Sequence, residues 1–404
     1  MSRIFYQLLF LFLCWSYAFN GMAQAHLPPL QEDKMLLTNQ KVQMEITFGI
    51  DAMYDFKFNV AEGQFRWMKG YYPKHPLPYF LLGLNEWWKI MPNVEDDSHD
   101  DLFHAYMDSS VYFAEEIYKK YPEHAEASFF LAGALAFKAR LYGERHEWSK
   151  ATFAARKSLE YFDVTKKKAV ELGAEMYFGD GLYNYFVEWI KENYKVLRPV
   201  LWFFEEGDKQ LGLEQLEMAG EEAFYTRIEA MYYLMRIHAN GDGRVSRAFQ
   251  LSEYLYKNYP NNAYFHRYYT RMLYSTGRHR QLVPVAKSLL ERVETGATGY
   301  EEISGRYASY YLGSYYMDRK GDVKTGETYF KKTVGFAEAI EDYDSGYYLH
   351  ALRKLGQIAQ REGEMEVAYE YYDKLKDHSE RKSTLHKEAK EFLKEYKRWK
   401  KKNK

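Results

Sequence analysis

An all-α solenoid of antiparallel helix pairs is the fold class this sequence predicts, and three observations carry it. Gly is followed five residues later by a small residue at four places: Gly207 and Gly212, Gly243 and Ala248, Gly321 and Gly326, Gly363 and Ala368. Four and seven residues after each small position stand Leu216 and Ala219, Ser252 and Leu255, Phe330 and Thr333, Tyr372 and Leu375. Those offsets fall on one helix face. The alternation that marks a half-buried strand runs for no useful length anywhere.

The spacing has a simple physical reading. Gly ends one helix or turns the chain, because it alone takes a positive φ freely. The small residue lets the next helix lie close against the first, and the larger residues beyond it cover the following pair. Such a unit cannot bury both its faces, so neighbours must stack.

Composition agrees. The 404 residues are 47% hydrophobic and 28% charged, enough for a large core. The net charge of -1 gives no bias toward nucleic acid, and no nucleic-acid partner is expected. Aromatic residues make up 18% of the chain, 40 of them Tyr, a wedge that fills helix interfaces while its hydroxyl still reaches water.

In chain order, residues 1–25 read as an export signal. Arg3 gives the positive start, an apolar stretch too short to span a bilayer follows, and Ala23 and Ala25 form a small-x-small cleavage site. Cys14, the only cysteine, lies inside this segment and follows Leu13, which is not the small residue that lipidation needs. The mature chain is then free of disulfides and Cys-ligated metal. Leu36 to Val60 reads as one helix with Met44, Phe48, Met53 and Phe56 on it. Helix pairs follow at 62–120, 125–163, 165–220, 222–259, 262–295, 300–341 and 345–378. Without a Gly- or Ser-rich linker, residues 26–380 form one domain. Residues 381–404 are a capping helix with a basic tail, its apolar face formed by Ala389, Phe392, Leu393 and Tyr396; between Lys387 and Lys404 stand nine basic and three acidic residues. A solvated tail is the first reading, and contact with an anionic membrane surface the second.

Gly356, Ala368 twelve positions on and Tyr372 four beyond that resemble the tetratricopeptide repeat. So do Ala248 with Pro260, and the Pro122–Gly133 stretch, with Gly83 at the analogous place. The resemblance implies a right-handed solenoid whose first helices line a concave wall. It assigns repeat packing to Gly83, Gly133, Gly212, Ala248, Gly313, Gly326, Gly356 and Ala368. The stretch Gly179 to Ala219 is similar to the mid-chain signature of a divergent group that includes inclusion-body-clearance and ciliary relatives.

Few motifs offer chemistry. Asp96, Asp97, His99, Asp100 and His104 cluster, but no Gly or closing Glu makes a calcium loop of them. Ser98 is placed to cap the next helix, with Asp101 three residues on. The glycines around Asp242 follow no strand and lack the Gly-Lys core of a phosphate loop. The basic cluster Gly277 to Arg280 reads as a helix start. Carboxylate pairs such as Glu205 and Glu206 read as solvated faces. No catalytic, metal-binding or cofactor-binding residue is assigned, and no cofactor is expected.

The tyrosines remain. They occupy more than one face of the helices around 264–274, 306–317 and 345–352, whereas a core uses one stripe. Tyr264, Arg267, Tyr268, Arg271, Arg306, Tyr310 and Tyr347 are therefore the groove candidates, of residue types that dominate binding hot spots. The competing reading is that adjacent repeats bury them all. The expected function is an exported, non-catalytic scaffold binding a protein or peptide in this groove, periplasmic or secreted. The alternative is a glycan or other small ligand stacked on the aromatic rings. N-terminal sequencing of the exported protein should find His26 first; a retained leader would replace export by anchoring.

Overall fold

The computed structural model describes residues 35–194, 205–240 and 244–403. The expected export signal with Cys14, residues 195–204 within the Gly179–Ala219 stretch, and Asp242 with Gly243 lie outside the described residues.

Among the described residues every regular element is a helix. Pairs form from α1 (Gln40–Tyr54) and α2 (Phe58–Tyr71), α3 (Pro76–Ile90) and α4 (Asp100–Lys120), and α5 (Ala125–Glu144) and α6 (Trp148–Lys167). The short α7 (Ala169–Leu172) leads to α8 (Glu175–Asn193) and α9 (Lys209–Glu222). Then come α10 (Arg227–Asn240) with α11 (Val245–Asn258), α12 (Ala263–Ser275) with α13 (His279–Glu294), and α14 (Glu302–Ser314) with α15 (Val323–Ala339). A π-helical turn at Tyr315–Arg319 extends α14, and α16 (Gly346–Glu362), α17 (Met365–His378) and the capping α18 (Thr384–Lys402) complete the array. The short α7 aside, each helix packs on the next, and first helices touch between α1 and α3, α3 and α5, α8 and α10, α12 and α14, and α14 and α16.

The periodic positions are where the pairs close. Leu216, Ala219, Ser252, Leu255, Phe330, Thr333, Tyr372 and Leu375 are all at most 2% exposed. Gly321 and Gly363 take φ of 69° and 81°, the left-handed turn before the second helix. At Gly212 a Cβ would stand 2.7 Å from the Tyr185 amide nitrogen and 2.8 Å from the Gly181 carbonyl, so α8 and α9 meet backbone to backbone. Gly83, Gly313 and Gly356 press on the side chains of Met107, Phe330 and Tyr372, Gly326 on Met317, and Gly133 less tightly on Phe80. Ala248 and Ala368 are fully buried.

Two local expectations are corrected. The helix expected over Leu36–Val60 breaks at Phe56, whose φ of 57° no helix tolerates; its ring packs on Phe58 and under Gly299. Met44 and Phe48 face solvent. Ser98 does not cap α4: its N–H donates to Asp96 Oδ1 at 2.9 Å, and His99 is the residue before the helix, with no side-chain capping bond.

The array curls until its start meets its middle. Asn262 donates to the Tyr54 carbonyl at 2.8 Å, and Asn261 donates to both oxygens of Asp55 at 2.9 Å. Arg267 donates to the Pro92 carbonyl at 3.2 Å. Trp88 on α3 is fully buried between Tyr54, Tyr232 and Phe265, with ring centroids 5.3, 5.7 and 5.4 Å away. Ala368, Tyr372 and the C-terminal helix face of Ala389, Phe392, Leu393 and Tyr396 belong to a second, smaller cluster.

Because backbone atoms cannot yield as a ring can, Gly212→Ala should lower the unfolding free energy by about 1–3 kcal/mol. Gly335, inside α15, provides the contrast, because a Cβ added there would meet nothing within 4 Å. At that position Ala should raise stability by about 0.5–1 kcal/mol through the unfolded chain. Urea midpoints of both variants check the pair.

Candidate functional site

Where the curl leaves the inner wall uncovered, a cavity of about 380 Å³ remains between α3, α5, α6, α8 and α10. Phe80, Leu81 and Leu84 of α3, Phe129, Phe137 and exposed Ala136 of α5, and Phe162 of α6 form one side. Phe178, Leu182 and Phe186 of α8 form the other, with Tyr233 of α10 closing it. Helical spacing puts Phe178, Leu182 and Phe186 in one row, four residues apart. Phe186 and Tyr233 meet edge to face at 5.9 Å.

Three charged side chains reach this apolar space. Arg140, near the end of α5, lies over the Trp87 ring at 4.6 Å and donates to the hydroxyls of Tyr233 at 2.6 Å and Tyr232 at 3.2 Å. Glu229, in the first turn of α10, is 3% exposed. Its Oε1 accepts from Trp88 Nε1 at 2.8 Å and the Tyr54 hydroxyl at 3.5 Å, while Oε2 is buried without a partner. Glu175, at the start of α8, accepts from the N–H groups of Phe224, Tyr225 and Thr226 at 2.7, 2.9 and 3.0 Å and from the Thr226 hydroxyl at 2.8 Å. It thereby serves the open N-terminal amides ahead of α10. Glu126 of α5 does the same for Leu36 and Leu37, and also meets His75 Nε2 at 3.1 Å.

The groove candidates stand together along α12, α14 and α16, but not on an open wall. Tyr264, Arg267, Tyr268 and Arg306 are buried, because the returning α3 end and the neighbouring first helices cover them. Arg267 lies over the rings of Tyr264 and Tyr307, at 5.1 and 5.7 Å, and Arg306 contacts Asp342. Arg271, Tyr310 and Tyr347 are half-buried. Arg271 donates to Asn240 at 2.8 Å, and Tyr347 shares a 2.8 Å hydrogen bond with the Tyr311 hydroxyl. The polar cluster before α4 is also committed: Asp100 pairs with Arg145 through both oxygens, and His99 meets Glu86 Oε2 at 3.1 Å. No group of three or more His, Cys, Asp or Glu is arranged to hold a metal among the described residues, and no described helix is long and apolar enough to cross a membrane.

Arg140, Glu126, Glu175 and Glu229 were not singled out by sequence reasoning. A charge that follows a long apolar run, as Arg140 follows "SFFLAGALAFKA", was the available signal.

Burial pushes the Glu229 carboxyl up to about 7, against the opposing pull of Arg140, Trp88 and Tyr54. Such a carboxyl favours the folded state below its unfolded value of 4.5 and loses that contribution as pH rises toward 7. His266, held down to about 4 by burial, acts in the opposite sense over part of this window, so wild type and variant must be compared. Glu229→Gln should flatten the stability loss across that range by on the order of 3 kcal/mol. Urea midpoints at successive pH values read it directly.

No family model and no curated protein matches the sequence. Among solved structures, the human IFIT1 dimer with PPP-AAAA is 15% identical, with 79% of this chain and 67% of that one covered and a TM-score of 0.41. Yeast Tom70 is 11% identical, with 89% and 96% covered and a TM-score of 0.21. Neither likeness is near enough to carry a ligand or partner across. On its own geometry, helix pairs stacked in chain order and closed at glycine and alanine crossings, the chain is an all-α helical-repeat solenoid.

Proposed function

We propose that the chain is an exported, non-catalytic binding scaffold that takes a small, largely apolar ligand on its inner wall. The observation that supports this reading is the cavity between α3, α5, α8 and α10. Its volume of about 380 Å³ lies within the range of about 300–1,000 Å³ usual for ligand sites. Its lining has the make-up of such sites as well, with rings and aliphatic chains around a few converging polar groups. Helices hold it on four sides, so little ordering is needed when a ligand enters.

A second reading, capture of a protein or peptide, is favoured by Arg271, Tyr310 and Tyr347, which still reach solvent on the neighbouring wall. Tyr and Arg anchors of this kind suit an extended partner.

The environment-sensitive dye 1-anilinonaphthalene-8-sulfonate separates the two. It should bind the folded protein saturably, and Ala136→Trp, which fills the cavity from its exposed edge, should abolish most of that fluorescence while the melting temperature holds. Dye binding indifferent to Ala136→Trp but lost in Arg271→Ala would move the site to the tyrosine wall.

A further inference from the structure

Arg140 is a half-buried cation whose hydrogen-bond partners do not answer its charge. Its hydrogen bonds go to the two tyrosine hydroxyls and, at 3.9 Å, to the Met91 sulfur, all neutral. Among the described residues no carboxylate lies within ion-pairing distance of it. Glu229 attracts it without a direct ion pair, and withdrawing a guanidinium from water without a contacting counter-ion is costly. Nearby, Arg236 adds a second guanidinium, donating at 2.8 Å to the same Tyr232 hydroxyl that Arg140 uses.

The second observation is independent. Glu229 lines the same cavity, and its Oε2 is buried with no hydrogen-bond partner, while Oε1 is occupied by Trp88 and Tyr54. When this carboxyl carries a proton, the unoccupied oxygen is the one free to hold it. A buried polar atom left unmatched is the rare case in native structures and asks for an unseen partner.

We propose that the cavity is built for an amphipathic monocarboxylate, with its carboxylate on the Arg140 guanidinium and its apolar tail among the rings of α5 and α8. This rests on the cavity being a ligand site, as argued above. The ligand carboxylate supplies the contacting anion that Arg140 lacks, and Glu229 borders the same space with one oxygen unbonded. Trp87 lies against the guanidinium at 4.6 Å and holds it at the cavity wall. Phe129, Phe137, Phe178 and Phe186 provide the tail with rings rather than hydrogen-bonding groups. Other head groups fit less well. A neutral alcohol leaves the cation unanswered, an ammonium meets Arg140 and Arg236 with like charge, and a phosphate dianion brings a surplus negative charge beside Glu229.

Isothermal titration of the unmodified protein with dodecanoate, dodecan-1-ol and dodecylammonium, each below its micellar concentration, tests this. Dodecanoate should bind tighter than the alcohol by about tenfold or more, a margin in keeping with a charge-assisted hydrogen bond in an apolar site. The ammonium should bind weakest. Arg140→Gln should erase the preference for the acid and leave the alcohol's affinity in place; Arg140→Lys should keep part of the preference. Equal binding of acid and alcohol, or a preference that survives Arg140→Gln, overturns the inference while the cavity reading stands. If none of the three binds, the cavity reading falls with it. If Arg140→Gln does not fold, the comparison of the three ligands on the unmodified protein, with Arg140→Lys, still decides.

Discussion

Trp88 marks the place where the curling array returns on itself. It is an α3 residue, yet its ring is enclosed by Tyr54 of α1, Tyr232 of α10 and Phe265 of α12, and its indole N–H is taken by Glu229. Repeats that touched only their neighbours would leave this ring on an open wall. Instead, residues about two hundred positions apart in the chain are joined, down to the hydrogen bond from Asn262 to the Tyr54 carbonyl 208 residues earlier. The stability of such a molecule is no longer a simple sum over neighbouring repeats. The early pairs and the middle pairs should open together, and the smaller C-terminal cluster of α15 to α18 is the part least tied to them.

The return also decides where a ligand can enter. One stretch of the inner wall, along α12 and the start of α14, is consumed by contact with Pro92, Trp88 and their neighbours. The other, along α3, α5, α8 and α10, stays hollow. The two stretches differ in chemistry. Tyr and Arg dominate where the wall is closed, and there hydroxyls and guanidinium groups find each other and nearby carbonyls. Phe and Leu dominate where the wall is hollow, which leaves a largely apolar space that only a few polar groups, Arg140, Glu175 and Glu229 among them, reach. Arg140, Tyr232 and Tyr233 stand at the border between them.

Buried glutamates form a recurring joint. Glu126, Glu175 and Glu229 all lie in the first turn of an inner helix, each almost fully enclosed. Two of them reach sideways to backbone amides of another segment, a use that satisfies both the carboxylate and the amides. Glu229 departs from the pattern: one oxygen is bonded to side chains and the other to nothing. A glutamate in the first turn of an inner helix therefore serves packing twice and leaves an unmatched polar atom once, at the cavity.

Much of the fold was legible in the chain because its signals are local. A Gly and a small residue five positions apart, with core-facing residues four and seven beyond, are sufficient to fix a tight turn, a close crossing and a buried face; all eight of those core-facing positions are buried. The break at Phe56 escaped because a positive φ at a bulky residue is held by a distant partner, here Gly299, and no local rule announces it. The tyrosine groove was drawn from residue type and helix face, and neither says which of several possible neighbours covers a face. What the sequence by itself determined is the repeating unit, since backbone freedom and helical period act over a few residues. Only the tertiary structure decided how far the array curls, and hence which wall closes, which stays hollow and which charges are left facing it, because that depends on the summed small rotations of every pair.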